Sequence, residues 1–385
     1  MRREKGMGCV SQRKDGTWTG RIDLGYQPNG KKKIKAVYGK TEAEVKRKLK
    51  DLRNELTKGE FKQDIKAVTV KTYMDNWLVN YKKNEVKPST YDLIEATCNN
   101  LIYPRIGNYQ LVEVKPSDIQ SMINDLTQSG YSYSTIRKVY NYVKSAYTFA
   151  FERKEVSEIP FAKIILPKSV KKDMSEIVFY NEEEIKLIKN SALVKFPNSD
   201  AYIFRYGYAI ILLLYTGLRC GELLGLKWED VDYESNSIRV KRNLKQVINR
   251  DEDADRKYVV IEQSTKTKSG VRSIPLSNMA KEALTYYAKI RTDSPYVLSS
   301  KNGRPVSARN LDRAFRNILT RAGITKQYGV HSLRHTFASM LFKKGVDVKT
   351  VSEILGHSDV SVTYNIYIHI INEQKIKAIE QLNDF

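Results

Sequence analysis

The chain has 385 residues, of which 66 are Lys or Arg and 44 are Asp or Glu, so its formal net charge at pH 7 is +22. A chain of this length usually forms two or three domains, and a hydrophobic content of 41% with only ten prolines excludes a disordered basic tail. Such an excess of positive charge favours a polyanionic partner, with nucleic acid ahead of membrane.

The sequence also argues against a membrane protein, a secreted protein and a metal site. The longest apolar run, residues 209–214, is far too short to span a bilayer, and the first residues lack the apolar core of a signal peptide. Cys9, Cys98 and Cys220 are scattered singly, without the spacing of metal ligands or of a disulfide framework. We therefore expect a cytoplasmic protein without a metal.

The first predicted domain, residues 1–66, is a small basic sheet with one helix, and it carries 19 Lys or Arg against 9 Asp or Glu. Residues 16–26 and 31–39 alternate as strands do, with Pro, Asn and Gly between them for a turn. Thr41 and Glu44 form a capping box that begins the helix. The hairpin could lay a basic ribbon into a DNA groove, or its lysines could simply be solvated. The candidate DNA-binding residues are Arg21, Lys31, Lys32, Lys33 and Lys35.

The second predicted domain, residues 67–165, is helical. Helix starts are indicated at Thr69, Pro88, Pro116 and Ser134, where capping residues or a first-turn proline precede apolar residues at helical spacing. We therefore expect four helices.

The last of these four helices carries an apolar stripe that favours a packed core over a surface for base stacking. The stripe consists of Ile136, Val139, Tyr140, Val143, Tyr147 and Ala150. Arg137, Lys138 and Lys144 lie on other faces of the helix, and they are candidates for contacts with DNA phosphates.

A linker is predicted at residues 166–177, which contain a proline and a lysine cluster and show no sustained periodicity. The third domain, residues 178–385, begins with a helix capped by Asn181 and Glu184. It continues with mainly helical patterns and a short strand region near residues 236–276. The expected fold class is therefore multidomain α+β, with a small antiparallel sheet in the third domain.

The third domain concentrates the residues that could carry chemistry. His331 and His335 lie one helical turn apart, but Ser332 occupies the position where a zinc metalloprotease needs Glu. No GxSxG pattern of a serine hydrolase occurs. The cationic segments TGLRCGE, TKTKSGVR and HSLR suit a transition state at phosphorus that develops negative charge. A tyrosine could then attack the phosphorus.

Three segments of this domain resemble, in their order and spacing, the catalytic domain of tyrosine recombinases of the phage-integrase family. They are TGLRCGELLGLKWEDVD, TKTKSGVRSIPL and HSLRHTFASMLFKKGVDVKTVSEILGHSDVSVTYNIYIH. The resemblance covers residues 178–370 motif by motif. More loosely, residues 67–165 resemble the SAM-like core-binding domain of that family and residues 1–66 its arm-type DNA-binding domain. This layout is most similar to integrases of conjugative transposons and related Gram-positive phages.

The resemblance implies roles for the residues that match these motifs. Arg219 would be the first catalytic arginine, with Glu222 as its support. His331 and Arg334, which share a helix face, would both reach the scissile phosphate. His357 would donate a hydrogen bond to a non-bridging phosphate oxygen.

The general acid and the nucleophile each have two candidates. In the family a lysine protonates the 5′ leaving oxygen, and Lys266 is preferred over Lys268 because it aligns better with the turn that follows. Tyr367 is preferred over Tyr364 as the nucleophile because of its spacing from the preceding motif and the tyrosine-x-His ending. His335 is expected to pack within its helix and receives no catalytic role.

The resemblance also implies the reaction and its partners. Cleavage of one strand would leave a 3′-phosphotyrosyl bond and a free 5′ hydroxyl, and no metal or nucleotide cofactor would take part. The partners would be double-stranded DNA at attachment (crossover) sites and arm sites, further copies of the chain in a homotetrameric synapse, and an excisionase-like directionality factor. The expected function is the integration and excision of a mobile genetic element.

Three other functions remain open. A resident site-specific recombinase would share this chemistry, and a type IB topoisomerase would relax supercoiled plasmid without a specific site. A non-catalytic DNA-binding regulator would form no covalent complex. The intact set of motif residues argues against the regulator, and the basic front of the chain argues against the topoisomerase.

Overall fold

The computed structural model describes residues 9–13, 15–26, 32–57, 67–168, 179–251, 256–264, 270–364 and 367. The chain divides into two compact units, Met1–Val170 and Lys171–Phe385. Each unit is described by itself.

The first unit begins with a three-stranded antiparallel sheet and a helix. The strands, in sheet order, are β1 (Cys9–Gln12), β2 (Trp18–Tyr26) and β3 (Lys32–Gly39), and they are followed by α1 (Glu42–Thr57). The hydroxyl of Thr41 accepts a hydrogen bond from the Glu44 amide at 3.2 Å, and Val45 and Leu49 of α1 are buried. The predicted hairpin strands and helix are confirmed. Strand β1 was not predicted, because its four residues show no alternating pattern.

The rest of the first unit is helical. Its helices are α2 (Val70–Trp77), α3 (Lys83–Glu85), α4 (Pro88–Thr97), α5 (Tyr103–Ile106), α6 (Pro116–Gln128) and α7 (Tyr133–Glu152). Turns of π-helix at Leu78–Lys82 and Cys98–Ile102 join α2 to α3 and α4 to α5. The predicted starts correspond to α2, α4, α6 and α7. Helix α7 begins one residue earlier than predicted, since Ser132 is its N-cap.

The predicted stripe on α7 packs into the core of this unit. Its aliphatic members are almost completely buried, and the hydroxyl of buried Tyr147 donates to the carbonyl of Leu111 at 3.1 Å. Tyr140 is half-buried, with its ring edge-to-face on Phe161. The interpretation of the stripe as core is therefore confirmed.

The structure describes only one of the two predicted boundaries of the helical domain. Residues 58–66 lie outside the described residues, so the boundary at residue 66 stays a prediction. At the other boundary, Phe161, Ile164 and Leu166 pack on the helical core. The predicted linker therefore begins within a packed segment, and its residues 169–177 lie outside the described part.

The second unit is mainly helical and contains two small antiparallel sheets. Its helices are α8 (Glu182–Ala192), α9 (Gly207–Thr216), α10 (Cys220–Leu224), α11 (Asn278–Lys289), α12 (Ala308–Arg321), α13 (His331–Lys343) and α14 (Val348–Leu355). Strands β4 (Val231–Asp232), β5 (Ser237–Val240) and β8 (Arg272–Pro275) form one sheet in that order, and β6 (Arg242–Ile248) pairs with β7 (Tyr258–Ser264) in the other. This composition agrees with the expected α+β class.

Helix α9 is the centre of the second unit. All of its residues except Tyr215 are buried, and α8, α11, α12 and α13 pack around it. An all-apolar helix of this kind needs neighbours on every side. The apolar run 209–214 is thus a core helix, and in the described parts of the chain no helix has both the length and the apolar character that crossing a membrane requires.

Two glycines shape the passage from α9 into α10. Gly217 ends α9 with a φ of +64°, and a side chain there would also meet the ring of Phe337. Gly221 lies in α10 against β6, where an added Cβ would be 1.8 Å from Asn243 Oδ1 and 2.8 Å from the carbonyl oxygen of Leu244. Helix α10 can approach β6 this closely only without a side chain at residue 221.

We expect Gly221→Ala to lower the free energy of unfolding by about 1–3 kcal/mol, because the new methyl group overlaps atoms of β6. Chemical denaturation of the full chain measures this loss. Asn243→Ala removes one of the overlapping atoms, so the same change should cost less in that background. An equal cost in both backgrounds would contradict the proposed contact.

Candidate active site

The carboxyl end of α14 gathers three arginines. The helix closes with Gly356 in the left-handed region at φ +68°, and the carbonyls of its last turn have no partner within the helix. Three consecutive carbonyls accept instead from guanidinium groups: Ile354 from Arg272 Nε at 2.6 Å, Leu355 from Arg334 Nη2 at 2.6 Å and Gly356 from Arg219 Nη2 at 3.4 Å. The partial negative charge at this end of the helix favours the three cations.

Glu222 places a single carboxylate among these arginines. Arg219 is the N-cap of α10, and Glu222 accepts from its backbone amide at 2.9 Å and from its Nη1 at 2.7 Å. Arg272 donates to both oxygens of the same carboxylate, at 2.8 and 3.2 Å. Burial alone would raise the pKa of Glu222, but the hydrogen bonds and charges of the two arginines lower it below its usual value. The carboxylate is therefore charged at neutral pH.

Arg334 is held in the interior next to this group. It is 3% exposed, and its Nη1 donates to the carbonyl of Gly217 at 2.9 Å. Burial, followed by the charges of Arg219 and Arg272, lowers the pKa of Arg334 to about 9, so the group is still a cation at neutral pH. The side chain of Arg219 is 39% exposed, so the cluster is accessible to solvent at this residue. Among the described residues, three guanidinium groups and one carboxylate meet here, which leaves a net positive charge that an anion can neutralise.

Two of the predicted histidines border the arginine cluster. His357 Nδ1 lies 2.7 Å from the hydroxyl of the fully buried Thr363. Burial, and then the charges of Arg334 and Arg219, lower the pKa of His357 to about 4, so its imidazole is neutral at neutral pH. His331 begins α13 as an exposed residue, and partial desolvation, followed by the charges of the same two arginines, lowers its pKa too.

Tyr367 lies beside the cluster, and its side chain is 1% exposed. Its hydroxyl is 2.8 Å from His335 Nδ1, and its ring packs on Phe342 with centroids 5.1 Å apart. Burial raises the pKa of Tyr367 above its ordinary value, against the opposing charge of Arg334. Tyr364, by contrast, is exposed.

The side chains that the structure describes form neither a metal site nor a reactive thiolate. In the part of the chain that the structure describes, no three His, Cys, Asp or Glu side chains are grouped to hold a metal ion. Burial raises the pKa of Cys98 to about 12 and that of Cys220 to about 11, so neither is a thiolate at neutral pH.

The two candidate general acids, Lys266 and Lys268, lie outside the described residues. They belong to the connection between β7 and β8, which pair with different strands, so the connection joins the two sheets of the unit. Gly270, at the described end of this connection, accepts from Arg272 Nη1 at 3.3 Å.

The predicted DNA-binding residues are described in part. Arg21 on β2 and Lys35 on β3 are exposed, and so are Arg137, Lys138 and Lys144 on α7. Lys31 and the side chains of Lys32 and Lys33 lie outside the described residues. Exposure keeps the five described residues available for phosphate contacts.

Sequence reasoning missed Arg272, Thr363 and the contact of His335 with Tyr367. For Arg272 a signal exists, because alternation along β8 places it on the same face as buried Ile274. A charged residue on an inward face needs a buried partner. No comparable signal marks the other two, since their contacts depend on how the end of the chain returns to the site.

Known proteins are similar to this chain over most of its length. The phage integrase family matches residues 181–374, and the N-terminal SAM-like domain of phage integrases matches residues 69–127. A tyrosine recombinase XerC-like protein of Caldanaerobacter subterraneus is 35% identical over 381 residues, covering 94% of this chain and 95% of the relative. The transposase of transposon Tn916 of Enterococcus faecalis is 24% identical and covers 79% of this chain and 75% of the relative.

Solved structures share the fold. The Tn1549 transposon integrase in complex with transposon right end DNA is similar with a TM-score of 0.64 at 24% identity, covering 82% of this chain and 100% of that chain. The lambda integrase tetramer bound to a Holliday junction is similar with a TM-score of 0.56 at 17% identity, covering 95% and 96%. The chain therefore belongs to the phage integrase family of tyrosine recombinases, the enzymes of DNA strand exchange.

Proposed function

We propose that this protein is a site-specific recombinase that cuts DNA with Tyr367 and integrates and excises a mobile genetic element. The observation that carries the proposal is the net positive cluster at the end of α14, with the hydroxyl of a buried tyrosine beside it. A phosphodiester is the anion that suits both parts, because its phosphorus accepts the attack and its oxygens bind the arginines.

The arginines and histidines would hold the scissile phosphate. Arg219, which is exposed, and Arg334 would neutralise the charge that develops on the non-bridging oxygens. His357 accepts from Thr363 at Nδ1 when its ring hydrogen is on Nε2, and Nε2–H would then donate to a phosphate oxygen. His331, at the first turn of α13, would supply a further hydrogen bond.

Tyr367 would be the nucleophile. Its oxygen forms a bond to phosphorus while the bond from phosphorus to the 5′ oxygen breaks, which leaves a 3′-phosphotyrosyl link and a 5′ hydroxyl. The phenol is protonated at neutral pH, and His335 Nδ1 is within hydrogen-bond distance of that proton. Lys266, proposed from its motif alone, would protonate the leaving oxygen.

The similar proteins support a proposal for the assembly of this chain and for its DNA sites. The lambda integrase structure is a tetramer on a Holliday junction, and we propose a tetrameric synapse for this chain as well. We also propose three domains, with residues 1–66 on arm sites, residues 67–165 and 178–385 on the crossover site, and an excisionase-like factor that sets direction. The transposon origin of two relatives supports a mobile element.

A resident recombinase is the second candidate, because the XerC-like relative matches nearly the whole length of this chain. The two candidates share the site and differ in the DNA that they join. Recombination assays separate them, since only the element-type enzyme would recombine an excised circle with a target sequence.

Tyr367→Phe should abolish covalent attachment to DNA and leave specific binding nearly unchanged, because it removes only the attacking oxygen. Tyr364→Phe is the matched control and should remain active. The measurement uses a nicked suicide substrate with the crossover site, a denaturing gel for adducts and a mobility shift for binding. Adducts that persist in Tyr367→Phe and vanish in Tyr364→Phe would reverse the assignment.

Two pairs of alanine substitutions should separate the DNA-binding surfaces of the first unit. Arg21→Ala with Lys35→Ala should weaken binding to arm-site duplexes and spare the crossover site, while Arg137→Ala with Lys138→Ala should do the reverse. Removing one cation from a DNA phosphate should also reduce the slope of log affinity against log salt by about one. Equal weakening on both duplexes from either pair would contradict the proposed division.

A further inference from the structure

Arg272 is a cation of the arginine cluster, and its side chain is buried. It lies on β8 opposite Val240 of β5, and its side chain is 6% exposed, whereas that of Arg219 is 39% exposed. All three nitrogens of its guanidinium group donate to other protein groups, which leaves it poorly placed to bind a DNA phosphate as well. Its role has to be sought in the groups that it contacts.

Every guanidinium nitrogen of Arg272 donates a hydrogen bond. Nη1 and Nη2 donate to the two oxygens of Glu222 at 3.2 and 2.8 Å, and Nη1 also donates to the carbonyl of Gly270 at 3.3 Å. Nε donates to the carbonyl of Ile354 at 2.6 Å. Only the planar, branched guanidinium can donate to both carboxylate oxygens and to a third group in a fixed geometry.

Arg272 and Arg219 donate hydrogen bonds to the same two parts of the structure, which support both side chains. The first is Glu222, which accepts from Arg219 Nη1 and from the Arg219 amide. The second is the end of α14, where Ile354 accepts from Arg272 and Gly356, two residues later, accepts from Arg219. A displacement of Arg272 would release both supports together.

We propose that Arg272 is a positioning residue that acts through Arg219, an inference that rests on the proposed function. It fixes the rotation of the Glu222 carboxylate and ties α10 to the end of α14, so the exposed guanidinium of Arg219 faces the phosphate without having to reorganise. Preorganised charge of this kind contributes to the rate of the chemical step more than to binding of the DNA.

Arg272→Lys tests the proposal because it keeps the charge and removes the branched donor. Single-turnover adduct formation on the suicide substrate should slow by about tenfold or more, while affinity for the same DNA changes by less than about threefold. Arg239→Lys is the matched control, since Arg239 lies exposed on the neighbouring strand β5, and it should cut at the original rate. Arg272→Lys cutting at the original rate would overturn the proposal.

A double-variant cycle distinguishes positioning from a general effect on folding. If Arg272 acts through Arg219, Arg272→Lys should slow Arg219→Ala by much less than it slows the original chain. Two factors that simply multiply would refute a role exerted through Arg219. Thermal unfolding of each variant shows which of them are folded at the assay temperature.

A variant that leaves no unpaired buried charge covers the case in which Arg272→Lys does not fold. Arg272→Gln combined with Glu222→Gln replaces the ion pair by neutral amides. The proposal expects slow cleavage with retained DNA binding from the folded double variant, and the original rate would overturn it. Absence of adducts from the unsubstituted chain would contradict the proposed function, and this inference with it.

Discussion

The site depends on keeping three guanidinium groups close together although they repel one another. Burial, followed by that repulsion, lowers the pKa of Arg334 to about 9. Two groups offset the cost: the carbonyls at the end of α14 and the one buried carboxylate of Glu222. Because that carboxylate is shared by two arginines, the cluster keeps an excess of positive charge. That excess is what suits it to the proposed phosphate and distinguishes it from an ordinary ion pair.

The surrounding fold makes this arrangement rigid. The buried helix α9 ends at Gly217, whose carbonyl receives Arg334, and two residues later Arg219 begins α10. Gly221 then allows α10 to lie directly on β6. Each arginine is therefore bonded to backbone that belongs to the core. A site built in this way needs little movement when the phosphate becomes more negative in the transition state.

The sequence predicted the parts of this protein that depend on local pattern. The helix starts and the stripe on α7 were available from spacing, and the motif residues around Arg219 and Arg334 from the resemblance to the phage-integrase family. The role of Arg272 was not, because its partners lie 50 residues before it and 82 residues after it along the chain. Strand β1 was missed for the opposite reason, since four residues without alternation carry too little pattern. Long-range electrostatic partners and very short elements are thus where local reasoning ends.

Burial, together with the same excess of positive charge, keeps the histidines of the site neutral. Burial and the neighbouring arginines lower the pKa of His357 to about 4, and burial, with His331 and Arg334, does the same for His335. A neutral imidazole has one nitrogen that donates and one that accepts, whereas a protonated imidazole only donates. His335 can therefore accept a hydrogen bond from the hydroxyl of Tyr367, while His357, bonded to Thr363, keeps its other nitrogen for the proposed contact with a phosphate oxygen. Burial and the arginine cluster thus leave these neighbours in the protonation state that the proposed proton transfer requires.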